Sequence, residues 1–214
     1  MRVNDVGTLF DQSLEASDLT ARQKAVLKAS LELFAKQGFS RTSTGDIAKA
    51  AGVSEGTVYK RFKTKEDILQ AILAPFFAEV VPKAAGEFID HTLVGLPADF
   101  ATLLTGLLTD RMQFAVRNYQ VVKIMMAEAL QRPELIEQVK TVFDQAIAER
   151  FTPTIVHYQA AGQLVDWPAA QIMRFIAGTL LGDVLTRLLN DTPIAVDQLV
   201  SREVEFLMKG LRPE

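Results

Sequence analysis

The sequence contains no cysteine, which excludes disulfides, thiolate nucleophiles and sulfur-based zinc sites. Its two histidines, His91 and His157, lie far apart and lack a partner at ligand spacing, so no metal site is expected. There is no glycine-rich phosphate loop, paired-carboxylate motif or set of nucleophile, base and orienting group, so no cofactor is expected. No run of eighteen or more apolar residues occurs, and the opening MRVNDVGTLF lacks the apolar stretch of a signal peptide. A cytoplasmic protein with no membrane partner is expected. Alternating Val/Ile/Thr-rich segments are also missing, which argues against strands.

What is present is helical periodicity along nearly the whole chain, so the expected fold class is all-α. The 214 residues, 49% hydrophobic and 23% charged, suffice for a small domain joined to a medium one. The net charge of −3 hides an uneven distribution. Residues 18–67 carry ten Lys/Arg against six Asp/Glu, whereas residues 68–214 carry twelve against seventeen. A basic segment attached to an acidic one suggests a polyanion-binding module plus a second module. The expected division is an arm over 1–19, a three-helix domain over 20–65 and a helical domain over 66–214. The arm offers only Val6, Leu9, Phe10 and Leu14 for burial, and either a short docked helix or a mobile arm fits.

Helix boundaries are written in capping residues. Thr20 with Gln23, Ser43 with Asp46, and Thr64 with Asp67 each form a capping box, in which side chains satisfy backbone amides that a helix start leaves unpaired. Gly38 and Gly52 end the first two helices, because glycine tolerates positive φ. Ser54 caps a short third helix reaching about Phe62. Pro75 and Pro82 should kink or break the helix that begins at Thr64. Further helices are expected at about 98–117, 119–131, 133–161, 168–190 and 195–211.

The two short helices joined by Gly52-Val53-Ser54 form a helix-turn-helix. Gly52 permits the turn, Val53 plugs the angle, Ala48 is small where the helices cross, and Ser54 caps the second helix. That helix is then free to enter a major groove roughly 12 Å wide.

The stretch from Ala29-Ser-Leu-Glu-Leu-Phe-Ala through Gly38-Phe39, Thr42-Ser-Thr, Asp46-Ile-Ala, Ala51-Gly-Val-Ser and Gly56-Thr-Val-Tyr-Lys-Arg-Phe62 to Lys63-Thr-Lys-Glu-Asp-Ile-Leu69 closely resembles the N-terminal domain of the TetR/AcrR family of regulators. The likeness is dense over about 22–72; beyond residue 75 it is one of architecture only. It implies that Ser43 and Thr44 bind phosphate, that Thr57, Tyr59 and Arg61 meet phosphate or bases, and that Lys65 clamps a phosphate. Glu55, Gly56 and Lys60 take the positions nearest base edges. Lys60 can donate to guanine, while Glu55 can accept from cytosine or exclude unsuitable sites.

Two helices near the C-terminus have broad apolar surfaces: the first is too apolar for a single core-facing stripe, and the second repeats apolar residues at i, i+3, i+4 spacing. The first carries Gly178, Leu181, Gly182, Leu185 and Leu188; the second carries Val196, Leu199, Val200, Val204 and Leu207. Paired across two chains they would form a four-helix interface, which resembles the family's dimer. One helix-turn-helix reads few bases, whereas a two-fold pair reads half-sites roughly 34–36 Å apart. The resemblance further implies a ligand cavity. Its candidate lining is Phe100, Met112, Phe114, Tyr119, Met125, Met126, Phe143, Phe151, Tyr158 and Trp167, since methionine and aromatic residues suit an adaptable apolar pocket.

The expected function is a homodimeric regulator, a repressor released from double-stranded operator DNA by a small, largely apolar effector. An all-α enzyme using the C-terminal cavity and a helical protein-interaction module are the alternatives. The missing catalytic constellation speaks against the first and the basic segment against the second.

Overall fold

The computed structural model describes residues 6–190 and 195–213, with side chains up to Arg187 in the helix that ends at Asn190. Among the described residues there are twelve α-helices, two π-helical turns and no strand. Packing divides the chain into two compact units.

The first unit comprises residues 1–84 and 118–139. Its helices are α1 (Val6–Ala16), α2 (Ala21–Gln37), α3 (Thr44–Ala50), α4 (Glu55–Arg61), α5 (Lys65–Pro75), α8 (Tyr119–Ala129) and the start of α9 (Pro133–Ala146). Packing therefore joins residues 66–84 and 118–139 to the helix-turn-helix segment. The first residues of the arm lie outside the description; Val6–Ala16 form α1, which buries Val6, Leu9, Phe10 and Leu14. Phe10 stacks on Phe76 at 5.0 Å between centroids. Four aliphatic or aromatic side chains on one face thus decide between docked helix and mobile arm.

All three expected capping boxes form, at Thr20, Ser43 and Thr64, and Ser54 accepts the amide of Thr57. After Pro75 the helix does not break. A π-helical turn, Phe76–Val80, carries it into α6 (Val81–Thr92). The turn lies between two prolines, each without an amide proton, and the wider π winding accommodates the missing hydrogen bonds. The stretch Lys65–Thr92 is long and apolar enough, by length and composition, to cross a membrane. Within the first unit, however, Ile68, Leu69, Ile72, Leu73, Phe76 and Phe77 are buried against protein, as expected of a core helix.

The second unit comprises residues 85–117 and 140–214. It holds most of α6, α7 (Phe100–Arg117), a π-helical turn at Ile147–Phe151, α10 (Thr152–Ala160), α11 (Ala169–Asn190) and α12 (Val196–Leu211). Its core joins α7, α10, α11 and α12 through residues such as Leu104, Leu108, Ile155, Ile172 and Leu207. Tyr158 is fully buried and donates its hydroxyl to Pro97 O at 2.7 Å.

Candidate nucleic-acid interface and effector cavity

The helix-turn-helix is held from beneath by Ile47, Ala48, Val58 and Phe62, all buried. Gly52 has φ 66°, and Val53 N–H donates to Ala48 O at 3.0 Å, closing the turn. With Val58 and Phe62 turned inward, Tyr59, Lys60 and Arg61 are directed outward, and Tyr59 is 48% exposed. The Tyr59 hydroxyl meets Thr44 Oγ1 at 2.8 Å. One face therefore joins the start of α3 to the middle of α4.

The other expected contact residues divide by what already occupies them. Ser43 Oγ caps the Asp46 amide at 3.1 Å and donates to Asp46 Oδ2 at 2.7 Å. The Ser43 hydroxyl and amide, both donating to Asp46 Oδ2, hold the Asp46 carboxyl below its usual range. Thr57 bonds Ser54 Oγ through both its amide and its hydroxyl. Gly56 is exposed, and a methyl group there would meet only Ser54 Oγ at 3.9 Å. Glu55 is exposed but its carboxylate lies against Gly45 of α3.

Lys65 is engaged more deeply than its place at the start of α5 suggests. Its Nζ donates to Phe39 O at 2.8 Å and Thr42 O at 3.0 Å, and lies 4.4 Å from the Phe39 ring centroid. The ammonium ties the start of α5 to the turn between α2 and α3. These partners stand 26 and 23 residues away in sequence, so no local pattern reveals them.

In the second unit, Phe100, Leu103, Leu104 and Leu107 of α7 face Phe151, Thr154, Ile155, Met173 and Ile176 across a cavity of about 10 Å³. That volume is at the threshold for a single water, too small for an organic effector. Of the ten expected lining residues, Phe100 and Phe151 border it, while Met112 and Tyr158 belong to the surrounding core. Phe114 lies under the Arg111 guanidinium, 4.7 Å away. Tyr119, Met125 and Met126 belong to the first unit, and Phe143 and Trp167 are exposed. Most of the wall is aliphatic, and leucine and isoleucine fill every helical core, so their residue type alone does not mark a cavity. Its signal was nonetheless present: 100, 103, 104 and 107 follow the i, i+3, i+4, i+7 spacing of one helical face.

The two C-terminal helices play unequal parts. On α11, Gly178, Leu181, Gly182 and Leu185 are exposed, and Phe175 joins them along the same stripe. On α12, Val200 and Leu207 are buried in their own unit, and Val196, Leu199 and Val204 pack partly against its core. Phe206 is the exposed apolar residue of α12, and sequence spacing did not single it out. The Leu188 side chain lies outside the described residues.

Residues 26–72 match the bacterial regulatory proteins of the tetR family. The chain is 24% identical over 191 residues to the HTH-type transcriptional regulator YvkB of Bacillus subtilis, covering 88% of this chain and 96% of that one. It is 51% identical over 47 residues to the HTH-type transcriptional regulator AcrR of Shigella flexneri, covering 22% of each chain. The fold is that of the transcriptional regulator FadR from Bacillus subtilis, solved in complex with stearoyl-CoA. The TM-score is 0.60 at 21% identity, covering 87% of this chain and 97% of that one. These relatives are regulators rather than enzymes. Residues 26–72 thus form a helix-turn-helix domain of the tetR type, and the chain as a whole is similar to DNA-binding transcriptional regulators that carry that domain.

Proposed function

We propose that the protein acts as a cytoplasmic homodimer that represses transcription by binding operator DNA and lets go when an apolar effector enters the second unit. The observation that carries the reading is the outward face of Thr44, Tyr59, Lys60 and Arg61 above a buried Ile47, Val58 and Phe62. A short helix anchored this way presents hydroxyls and cations to a duplex, with phosphate contacts fixing its register and side chains at base edges giving selectivity.

The exposed stripe of α11, with two glycines four residues apart, supports pairing with a second copy. Glycines let the helices approach, and the flanking leucines gain burial. The wall around Phe100 and Met173, apolar apart from Thr154, whose hydroxyl is bonded to Arg150 O, supports an effector with an aliphatic body. A relative of like fold holds stearoyl-CoA, and a chain of that kind would need the small cavity to widen. Moving the dimer from 99:1 in favour of the DNA-competent state to 1:99 requires about 5.5 kcal/mol of differential binding. Burying roughly 220 Å² of apolar effector surface supplies this at about 25 cal/mol per Å².

The test is fluorescence anisotropy on duplexes from the DNA flanking the protein's own gene, at several salt concentrations, with and without long-chain acyl-CoA. The expected result is salt-dependent binding to one duplex with a two-fold repeat, relieved by the acyl compound. Failure to bind any duplex in dilute buffer would sink the reading.

A further inference from the structure

Gly45 is the second residue of α3, and its backbone is helical. A methyl group at this position would collide with Glu55 Oε1, and would stand 3.6 Å from Glu55 Cδ and 3.7 Å from Ser43 Oγ. The space that any other residue's Cβ would occupy is therefore filled by the carboxylate of the first residue of α4. An alanine in a helix costs about 1 kcal/mol less than glycine. Glycine here works against α3, a helix of only seven residues, and what it provides is room for Glu55.

The first residue of a recognition helix is placed to meet base edges. Glu55 instead has its carboxylate drawn back against Gly45, which follows Thr44 at the start of α3, and the Thr44 hydroxyl meets that of Tyr59. A negative charge there opposes an approaching phosphate whatever the base sequence. We propose that Gly45 is a notch that parks Glu55, and that the parked glutamate is a positioning-dependent brake on DNA affinity and not a reader of a base. The proposal rests on the DNA-binding reading above.

The mechanism is electrostatic. Like charges a few ångströms apart in water repel by on the order of a factor of five in binding per pair, and a two-fold dimer doubles the effect on the logarithmic scale. Expelling Glu55 from the notch would drive its carboxylate outward, toward the duplex, and strengthen the repulsion.

The test uses the full-length protein, an operator duplex selected from a random library by the wild type, and an unrelated duplex of equal length. Binding is read by anisotropy across a salt series. Glu55→Gln is expected to tighten both duplexes by the same factor, about fivefold per half-site, leaving their ratio unchanged. Gly45→Ala, which the fold tolerates because only a flexible side-chain end is in the way, is expected to weaken both. In the Glu55→Ala background Gly45→Ala is expected to have no effect on binding. A fall in the operator-to-unrelated ratio in Glu55→Gln would show that the glutamate reads a base and would overturn the proposal. An equal effect of Gly45→Ala with and without Glu55 would overturn the notch. A wild type that binds neither duplex removes the DNA-binding reading itself, and the brake falls with it.

Discussion

Glu203 sits on the inner face of α12, flanked by the buried Val200 and Leu207, and is only 7% exposed. Neither of its carboxylate oxygens meets a hydrogen-bond partner among the described residues. A buried polar group without a partner costs about 1–3 kcal/mol, and more when charged. Replacing a buried ionic group by an apolar side chain of similar size is often stabilising by roughly 1–4 kcal/mol. Methionine matches glutamate in length and lack of branching, so Glu203→Met removes the penalty without overpacking. The expected gain is about 2 kcal/mol, which for a chain of this length raises the thermal midpoint by roughly 4–8 °C. Glu203→Gln keeps a polar group in the same place and should gain less. Glu205 is the control: it is exposed on the same helix and pairs with Lys209 at 2.7 Å, so Glu205→Met should barely move the midpoint. The assay is thermal unfolding by far-ultraviolet circular dichroism at one fixed protein concentration, since the proposed dimer would make the midpoint concentration-dependent. A lower midpoint for Glu203→Met than for wild type would refute the reasoning, because it would mean that the carboxylate has a partner worth more than its burial costs.

Two further outcomes follow from the geometry. Lys65→Ala should lower stability by about 2 kcal/mol, since it removes two charge-assisted bonds to the Phe39 and Thr42 carbonyls. An unchanged melting curve together with a salt slope reduced by about 0.9 per subunit would instead make Lys65 a phosphate clamp. Leu181→Asp, at a residue 50% exposed on α11, should place an unpaired carboxylate from each copy in the proposed seam. At about 2 kcal/mol each this raises the dimer Kd roughly a thousandfold, readable by analytical ultracentrifugation. Unchanged sedimentation would remove α11 from the interface.

What the sequence determined by itself was local. The starts of α2, α3, α4 and α5 were legible because each depends on a Ser or Thr oxygen and an amide three residues on. Tyr59 was legible as outward-facing because Val58 and Phe62 fix the inward side of so short a helix. Tertiary structure decided whatever depended on residues far apart in the chain. It turned the ammonium of Lys65 onto carbonyls more than twenty residues away, and set Glu55 against Gly45. It also chose the aliphatic face of α7, with Phe151, as the cavity wall while leaving Phe143 and Trp167 at the surface. The physical reason is that capping and periodicity act within one helical turn. Which apolar face meets which neighbour, and which charge finds a distant carbonyl, is settled only when helices pack.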